Sequence, residues 1–444
     1  MSVIIHKKRK LTSSQIIILG FSTVILLGAV LLMLPISTRE RIVTPFLEAL
    51  FTSTSAVCVT GLVLHDTAAY WSAFGQLIII ILIQIGGMGV ITVAASFAMI
   101  SGKKISLMQR STMQEAISAP KVGGIVRLTS FIVKVTLLVE LLGAAVMAPV
   151  FCRDFGLRGL WMALFHSVSA FCNAGFDLMG MEKPFSSLTV YAAEPVINLT
   201  VMFLIVFGGI GFLTWDDIRT NRQHLHKYKM QSKVILCTTA ILLIVPAIYF
   251  FFCEFSALTP GKRVLSSLFQ SVTPRTAGFN TVDLTAIQES GKCIIILLML
   301  IGGSPGSTAG GMKTTTIAVL FAAAISTFCR KENPHFFGRR IEDNVLKNAA
   351  TILLMYLVLF FFGGLVISMA EGLPMLTCLF ETASAVGTVG LSLGITPTLG
   401  TISRLILILL MFLGRVGGLT LIFAALSGTR KKAARLPQER ITVG

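Results

Sequence analysis

Four short strings recur along this chain, their terminal glycines 114, 103 and 112 residues apart. Leu50–Leu62 reads LFTSTSAVCVTGL and Leu164–Phe176 reads LFHSVSAFCNAGF; Leu268–Phe279 is LFQSVTPRTAGF and Leu379–Leu391 is LFETASAVGTVGL. Each opens with Leu-Phe, carries small hydroxyl residues, and closes on Gly61, Gly175, Gly278 or Gly390 followed by Leu or Phe. The third copy is one residue shorter. A second glycine signal follows each: GGMG at 86–89, GGIG at 208–211, GGSPGSTAGG at 302–311 and GRVGG at 414–418. Self-similarity at a fixed period means one supersecondary unit built four times.

Long apolar runs fix what kind of unit it is. Stretches such as 16–35, 76–100, 196–213, 234–252, 293–302, 351–370 and 405–413 are too long or too uniformly apolar for ordinary core helices. Only 13% of residues are charged, against about a quarter in a soluble protein. The fold class is an all-α polytopic membrane protein. Each unit reads as an outer helix, a short re-entrant helix, and an inner helix with glycine near its middle. Outer helices are expected near 14–35, 126–150, 232–253 and 346–370, and inner ones near 72–100, 195–218, 291–328 and 399–427. The re-entrant pieces begin near 44, 158, 262 and 374; at about three turns they cannot cross a ~30 Å hydrocarbon core. This gives eight transmembrane helices plus four re-entrant pore helices around a pseudo-fourfold pore. The divisions are an N-terminus 1–13, repeat 1 over 14–100, repeat 2 over 126–218, repeat 3 over 232–328, repeat 4 over 346–427, and a tail 428–444. A basic stretch precedes the first run, as in a signal peptide. That run is long enough to span and no A-x-A-like site follows, so it reads as the first retained helix.

A net charge of +17 would suggest nucleic acid if the chain were soluble. Position removes that reading. Of the 37 Lys and Arg residues, 24 lie in five segments: Lys7, Lys8, Arg9 and Lys10, then 103–127, 219–233, 330–347, and Arg430 to Arg440. Pairs of apolar runs separate those segments, so all five share one face, which the positive-inside rule makes cytoplasmic. Both termini then lie inside, at the plasma membrane. The outer loops carry no net positive charge, which suits cations. Eight scattered cysteines show no metal-ligand spacing.

Non-helical backbone at membrane depth is tolerated only inside protein or along a water-filled cavity. Four such segments, one per repeat, can meet on the pseudo-fourfold axis, each re-entrant helix aiming its partially negative end there. The expected filter strands are Cys58, Val59, Thr60 and Gly61; Cys172, Asn173, Ala174 and Gly175; Arg275, Thr276, Ala277 and Gly278; and Gly387, Thr388, Val389 and Gly390. Their carbonyls would replace the hydration shell of a monovalent cation. No ring of acidic side chains occurs there, which argues against a divalent-cation filter.

These strings, with GGSPGSTAGGMKTTT, resemble the Trk/Ktr/HKT superfamily of potassium uptake proteins over nearly the whole chain, and most closely the Ktr membrane subunit. Cys58 and Cys172 depart from its usual pattern. The resemblance implies one complete K⁺ pathway per chain, a homodimer, and a cytosolic nucleotide-binding RCK-type ring that gates it. It implies K⁺ as the transported ion, held at the filter carbonyls, with Na⁺ as an activator or co-ion. Each strand keeps its terminal glycine and lacks a full TVGYG string, so selectivity is expected to be lower than in tetrameric K⁺ channels.

Residues Gly302, Gly303, Ser304, Gly306, Ser307, Thr308, Gly310 and Gly311 interrupt the third inner helix, and on this reading only that one. Exposed backbone below the filter makes an intramembrane gating loop, as in the resembled family; the alternative is a Pro-broken helix packed in protein. Arg415 occupies the glycine site of the fourth inner helix, as a positive barrier or as an anchor for loop carbonyls. Lys313 closes the loop and is expected to snorkel to the interface. Arg275 and Glu381 are candidates for a buried ion pair bracing the filter. Glu140 needs a partner, Lys134 snorkels, and His166 is structural. The basic loops 101–125 and 219–233, with the tail, form the cytoplasmic surface, whose default role is orientation and contact with anionic lipid; the resemblance implies that a regulator docks there.

Other classes fail on the residues. A secondary transporter with broken helices would show inverted repeats, and these four share one orientation. An enzyme would need a metal or nucleophile constellation, which is missing, and a voltage-gated channel would need Arg-rich sensor helices. The chain reads as a K⁺ uptake pathway, not an enzyme, and requires no cofactor.

Overall fold

A computed structural model describes residues 12–101, 105–117, 119, 123–181 and 183–418. Its order is α1 (Ser13–Met33), α2 (Phe46–Val57), a one-turn α3 (Thr67–Tyr70), α4 (Ala73–Met88) and α5 (Val90–Ile100), then a surface helix α6 (Leu107–Ile117). The second unit is α7 (Ile125–Phe155), α8 (Arg158–Phe171), α9 (Pro195–Ile210) and α10 (Phe212–Asn221). The third is α11 (Met230–Tyr249), α12 (Pro260–Val272), α13 (Glu289–Leu300) and α14 (Thr314–Phe328). A two-stranded antiparallel ribbon, β1 (His335–Phe336) and β2 (Arg339–Arg340), leads to α15 (Asp343–Glu371), α16 (Met375–Val386) and α17 (Thr401–Val416). The terminal segments 1–11 and 419–444, with their basic clusters, lie outside the described residues.

Four stretches, Ser13–Met33, Ile125–Phe155, Met230–Glu254 and Asp343–Glu371, are long and apolar enough to cross a membrane, and two bent helix pairs raise the number to six. Their outward faces are bare hydrocarbon: Leu27, Leu141 and Leu354 are 60%, 61% and 65% exposed. The short helices α2, α8 and α16 are the reverse, with C-terminal halves buried on every side, and in α12 only Leu268 of that half is exposed. The Phe of each Leu-Phe pair (Phe51, Phe165, Phe269, Phe380) is fully buried. Two residues on, a hydroxyl in three of the units reaches the long helix: Ser53 donates to Ile25 O at 2.7 Å, Ser167 to Glu140 O at 2.6 Å, and Thr382 to Phe360 O at 3.2 Å, whereas Ser271 turns back to Leu268 O of its own short helix. Gly28, Gly143 and Gly364 open the long helices for this approach, since a Cβ at each would strike the short helix. Buried hydroxyls are thereby satisfied where no water is at hand.

The inner helices correct one expectation. The break in the third is not unique: α4 and α5 meet at 95°, and α9 and α10 at 94°. The hinges are Gly89 and Gly211, with φ of +86° and +102° and extended ψ, a conformation that ends the hydrogen-bond ladder and that L side chains resist. Gly417 repeats it with φ +86° after α17. The expected continuation of that helix to 427 falls outside the described residues.

Candidate functional site

The four predicted strands share one backbone pattern. Their second residues, Val59, Asn173, Thr276 and Thr388, take φ of +57°, +58°, +66° and +51°, and their terminal glycines lie at +91°, +68°, +81° and +93°. Three of those second residues are not even Asn, so the left-handed angle is imposed by the surroundings at a cost. Hydrogen bonding shows what imposes it. Thr60 N donates to Ser55 O at 2.8 Å, and Gly61 N to Ser55 Oγ at 3.1 Å. The fourth strand repeats this, Val389 N to Ser384 O at 2.8 Å and Gly390 N to Ser384 Oγ at 3.0 Å. Ala174 N uses Ser169 O at 2.7 Å, and Ala277 N uses Thr273 O at 3.0 Å. One hydroxyl residue per repeat thus collects the strand's N–H groups against its own re-entrant helix. Successive left-handed turns leave the carbonyls to the other side.

That other side is a closed ring. A Cβ on Gly61 would lie 2.5 Å from Ala174 O, and one on Gly175 2.8 Å from Ala277 O. A Cβ on Gly278 would meet Val389 O, and one on Gly390 would meet Thr60 O, both closer still. The order 61, 175, 278, 390 and back to 61 brings all four strands around one axis, with no room for a side chain at any glycine. Above it opens a cavity of ≈370 Å³ lined by the four glycines with Asp66, Asp177, Asn280 and Ser392.

The Arg275–Glu381 ion pair does not form. Glu381 instead accepts from Ser392 Oγ (2.6 Å), Leu393 N (3.1 Å) and Thr396 Oγ1 (2.8 Å), bracing the loop after the fourth strand. The reason lies in the repeat: Glu381 follows its Leu-Phe as His166 follows Leu164-Phe165, and His166 Nε2 accepts from Leu178 N at 3.3 Å. Both pin the residue three beyond the string's terminal glycine. Arg275, the first residue of the third strand, is buried, its Nε without a partner among the described residues. The hydroxyls of Thr60, Thr276 and Thr388 are likewise buried without described partners.

Below the ring, residues 301–313 form an irregular loop threaded between the other repeats. Ser304 N and Thr308 N donate to Gly209 O (2.9 Å) and Gly208 O (3.3 Å), and Phe212 N donates to Gly306 O at 2.7 Å. Thr308 Oγ1 reaches Phe171 O at 3.0 Å and Asn173 Oδ1 at 2.9 Å, so the loop touches the second strand directly. Arg415 comes from the opposite side. Its Nη1 donates to Thr308 O and its Nη2 to Gly86 O and, at 3.2 Å, Gly87 O. These last are carbonyls at the C-terminus of α4, where Gly86 O also accepts the capping bond from Gly89 N at 3.0 Å, a natural place for a cation. Lys313 departs from expectation: it does not snorkel but turns back to Ala309 O (2.8 Å) and Gly310 O (3.3 Å), because the bent loop presents unpaired carbonyls within its reach.

Glu140 finds its partners across a repeat boundary. Gln84 Nε2 donates to its Oε2 at 3.3 Å, and Cys172 Sγ, first residue of the second strand, lies 3.8 Å from its Oε1. Gln84 carried no sequence signal beyond a polar residue in an apolar run. The mouth carboxylates Asp66 and Asp177 were missed too, although Asp177 follows the Gly-Phe of the second string directly. Asp177 is pushed up to about 7, first by burial and then by Asp66, against the lowering hydrogen bond from Met179 N.

Residues 7–432 match the family model described as TrkH, cation transport protein. The chain is 39% identical to the potassium/sodium uptake protein NtpJ of Enterococcus hirae, covering 98% of each. It is 37% identical to Ktr system potassium uptake protein B of Bacillus subtilis, over 98% of this chain and 97% of that one. Among solved structures, the potassium transporter TrkH of Vibrio parahaemolyticus superposes with a TM-score of 0.72 at 20% identity, covering 94% of this chain and 85% of that one; this likeness speaks for the fold. The chain belongs to the TrkH cation transport protein family and is a multi-pass membrane transporter rather than an enzyme.

Proposed function

We propose that this member of the cation transport family takes up K⁺ across the plasma membrane, through the ring formed by Cys58–Gly61, Cys172–Gly175, Arg275–Gly278 and Gly387–Gly390. The observation that carries the proposal is the closed cycle of strands whose N–H groups are spent on their own helices. A cation shedding water there meets carbonyls from four directions. The names of the relatives, potassium/sodium uptake and potassium uptake, agree with this cargo. Na⁺ enters the proposal as an activator or co-ion.

In this reading eight helices span, α4–α5, α9–α10, α13–α14 and α17 serving as inner helices, and both termini are cytoplasmic. Loop 302–311 is the gate, with Arg415 and Lys313 as its latches: every loop carbonyl they hold is withdrawn from a passing ion. Two chains form a homodimer, and a cytosolic nucleotide-binding RCK-type ring acts on the gate from below.

The test is K⁺ flux into proteoliposomes holding only this protein, with and without Na⁺. Flux without Na⁺ that collapses in Gly278→Ser supports an intrinsic pore at this ring, and flux only with Na⁺ makes Na⁺ obligatory. Flux unchanged by Gly278→Ser would sink the filter assignment.

A further inference from the structure

One hollow plays no part in the pathway. It is shallow and open, ≈1100 Å³, lined by Arg110 of α6, Arg127 and Lys134 of α7, and Arg219 of α10, with Ser130 and Phe131 between them. Among the described residues, none of these four cations pairs with a carboxylate. Two acids of α6 and α10 are engaged elsewhere, and Asp216, three residues before Arg219, forms no ion pair with it. Glu115 accepts from Ser14 Oγ, while Asp217 accepts from the Asn221 amide and Lys229 N. The Arg219 guanidinium lies over the Phe131 ring, 4.8 Å from its centroid, which holds it in the wall. Four converging cations from three elements, without a counter-charge, favour an anion.

α7 decides what kind of anion. Ser130 and Phe131 lie three and four residues after Arg127, and Lys134 four and three after them, along a single stripe. That stripe continues into Leu138 and Leu141, 57% and 61% exposed. A basic hollow therefore opens, within about a turn of the same membrane-crossing helix, onto bare hydrocarbon. A soluble anion uses only the first half of that surface; a phosphate carrying acyl chains uses both.

We propose that this hollow binds the phosphate headgroup of an anionic phospholipid, whose chains lie along Leu138 and Leu141. Arg219 rides on α10, and α10 begins at Phe212, whose N–H holds Gly306 in the loop. Occupancy thus steadies the element proposed as the gate; that consequence rests on the gate reading, whereas lipid binding does not.

The experiment is titration of the purified full chain with short-chain phosphatidylglycerol, followed by native mass spectrometry. Replacing Arg127, Lys134 and Arg219 together by Gln should weaken binding on the order of 100-fold. Replacing Arg339, Arg340 and Lys347 by Gln removes as much charge elsewhere and should change little. Where the first variant fails to fold, Arg219→Gln alone, on an exposed side chain, carries the test. Equal weakening in both triple variants would mean diffuse surface charge and overturn the site. Displacement of the lipid by equimolar inorganic phosphate would make it a soluble-anion site, and equal binding of phosphatidylcholine would remove the role of charge. A first variant that loses self-association while keeping phosphatidylglycerol would assign the face to a second copy instead.

Discussion

Gly278 has φ of +81°, and a Cβ there would run into the Val389 carbonyl of the neighbouring strand. The left-handed angle alone costs an L residue about 1–2 kcal/mol, and the clash pushes a carbonyl of the ring out of line. Gly278→Ser is therefore expected to lower K⁺ flux roughly tenfold or more, read in proteoliposomes beside a melting temperature in detergent lowered only by the equivalent of that strain. Glu140 acts at the same scale but from behind the strand. Glu140→Ala leaves the Gln84 amide and the Cys172 side chain facing a void, at a cost of about 1–3 kcal/mol. Its melting temperature should fall and its uptake KM for K⁺ should rise, while Glu140→Gln, which keeps the volume and an acceptor, should restore most of both. If Gln behaves like Ala, charge rather than bracing is what the position supplies.

The elements that matter here are broken ones. Gly211 bends the second inner helix, and a Cβ on it would lie 2.8 Å from Pro305 O of the loop. Gly209, two residues earlier, meets nothing nearer than the Asn173 amide at 3.9 Å. Gly211→Ala should lower the thermal midpoint by an amount corresponding to about 1–2 kcal/mol; Gly209→Ala should not, since inside a helix Ala is the better residue. Equal effects would mean that the hinge angle is not what holds the loop. Arg415 ties the same loop to the C-terminal carbonyls of α4. Arg415→Gln shortens the reach and removes the charge, so K⁺ flux without any cytosolic partner should rise on the order of tenfold, the size of one charged hydrogen bond. The K⁺/Na⁺ ratio should stay as it was, because the strands are untouched. A fall in flux would show Arg415 to be an anchor the pathway needs.

Across the whole molecule the four repeats are not equivalent, and pH exposes the difference at the mouth. Asp177, raised to about 7 by burial, is neutral below that pH and charged above it. Lowering external pH from 8 to 6 should remove one negative charge from the ≈370 Å³ vestibule and reduce K⁺ uptake at low external K⁺. Asp177→Asn should flatten that profile; a profile identical to the parent's would place the titrating group elsewhere. The stability effect has the opposite sense. A carboxyl whose folded pKa is raised stabilises the fold fully below the ordinary Asp range, and that contribution is lost as pH rises through about 7.

Local chemistry that repeats was legible in the chain itself. Four Leu-Phe strings at matched spacing gave the short helices, since Phe51, Phe165, Phe269 and Phe380 are buried alike, and the apolar runs gave the long ones because lipid demands them. What escaped was whatever depends on two repeats meeting. The cyclic order of the four glycines, Arg415 reaching Gly86, and Glu140 lying between Gln84 and Cys172 join residues from different repeats. No spacing along the chain encodes such distances. The Gly89 and Gly211 hinges escaped for a related reason: glycine permits a bend without requiring it, and at Gly211 the bend is joined to the loop of the third repeat by hydrogen bonds from Ser304 N and Thr308 N to Gly209 O and Gly208 O and from Phe212 N to Gly306 O.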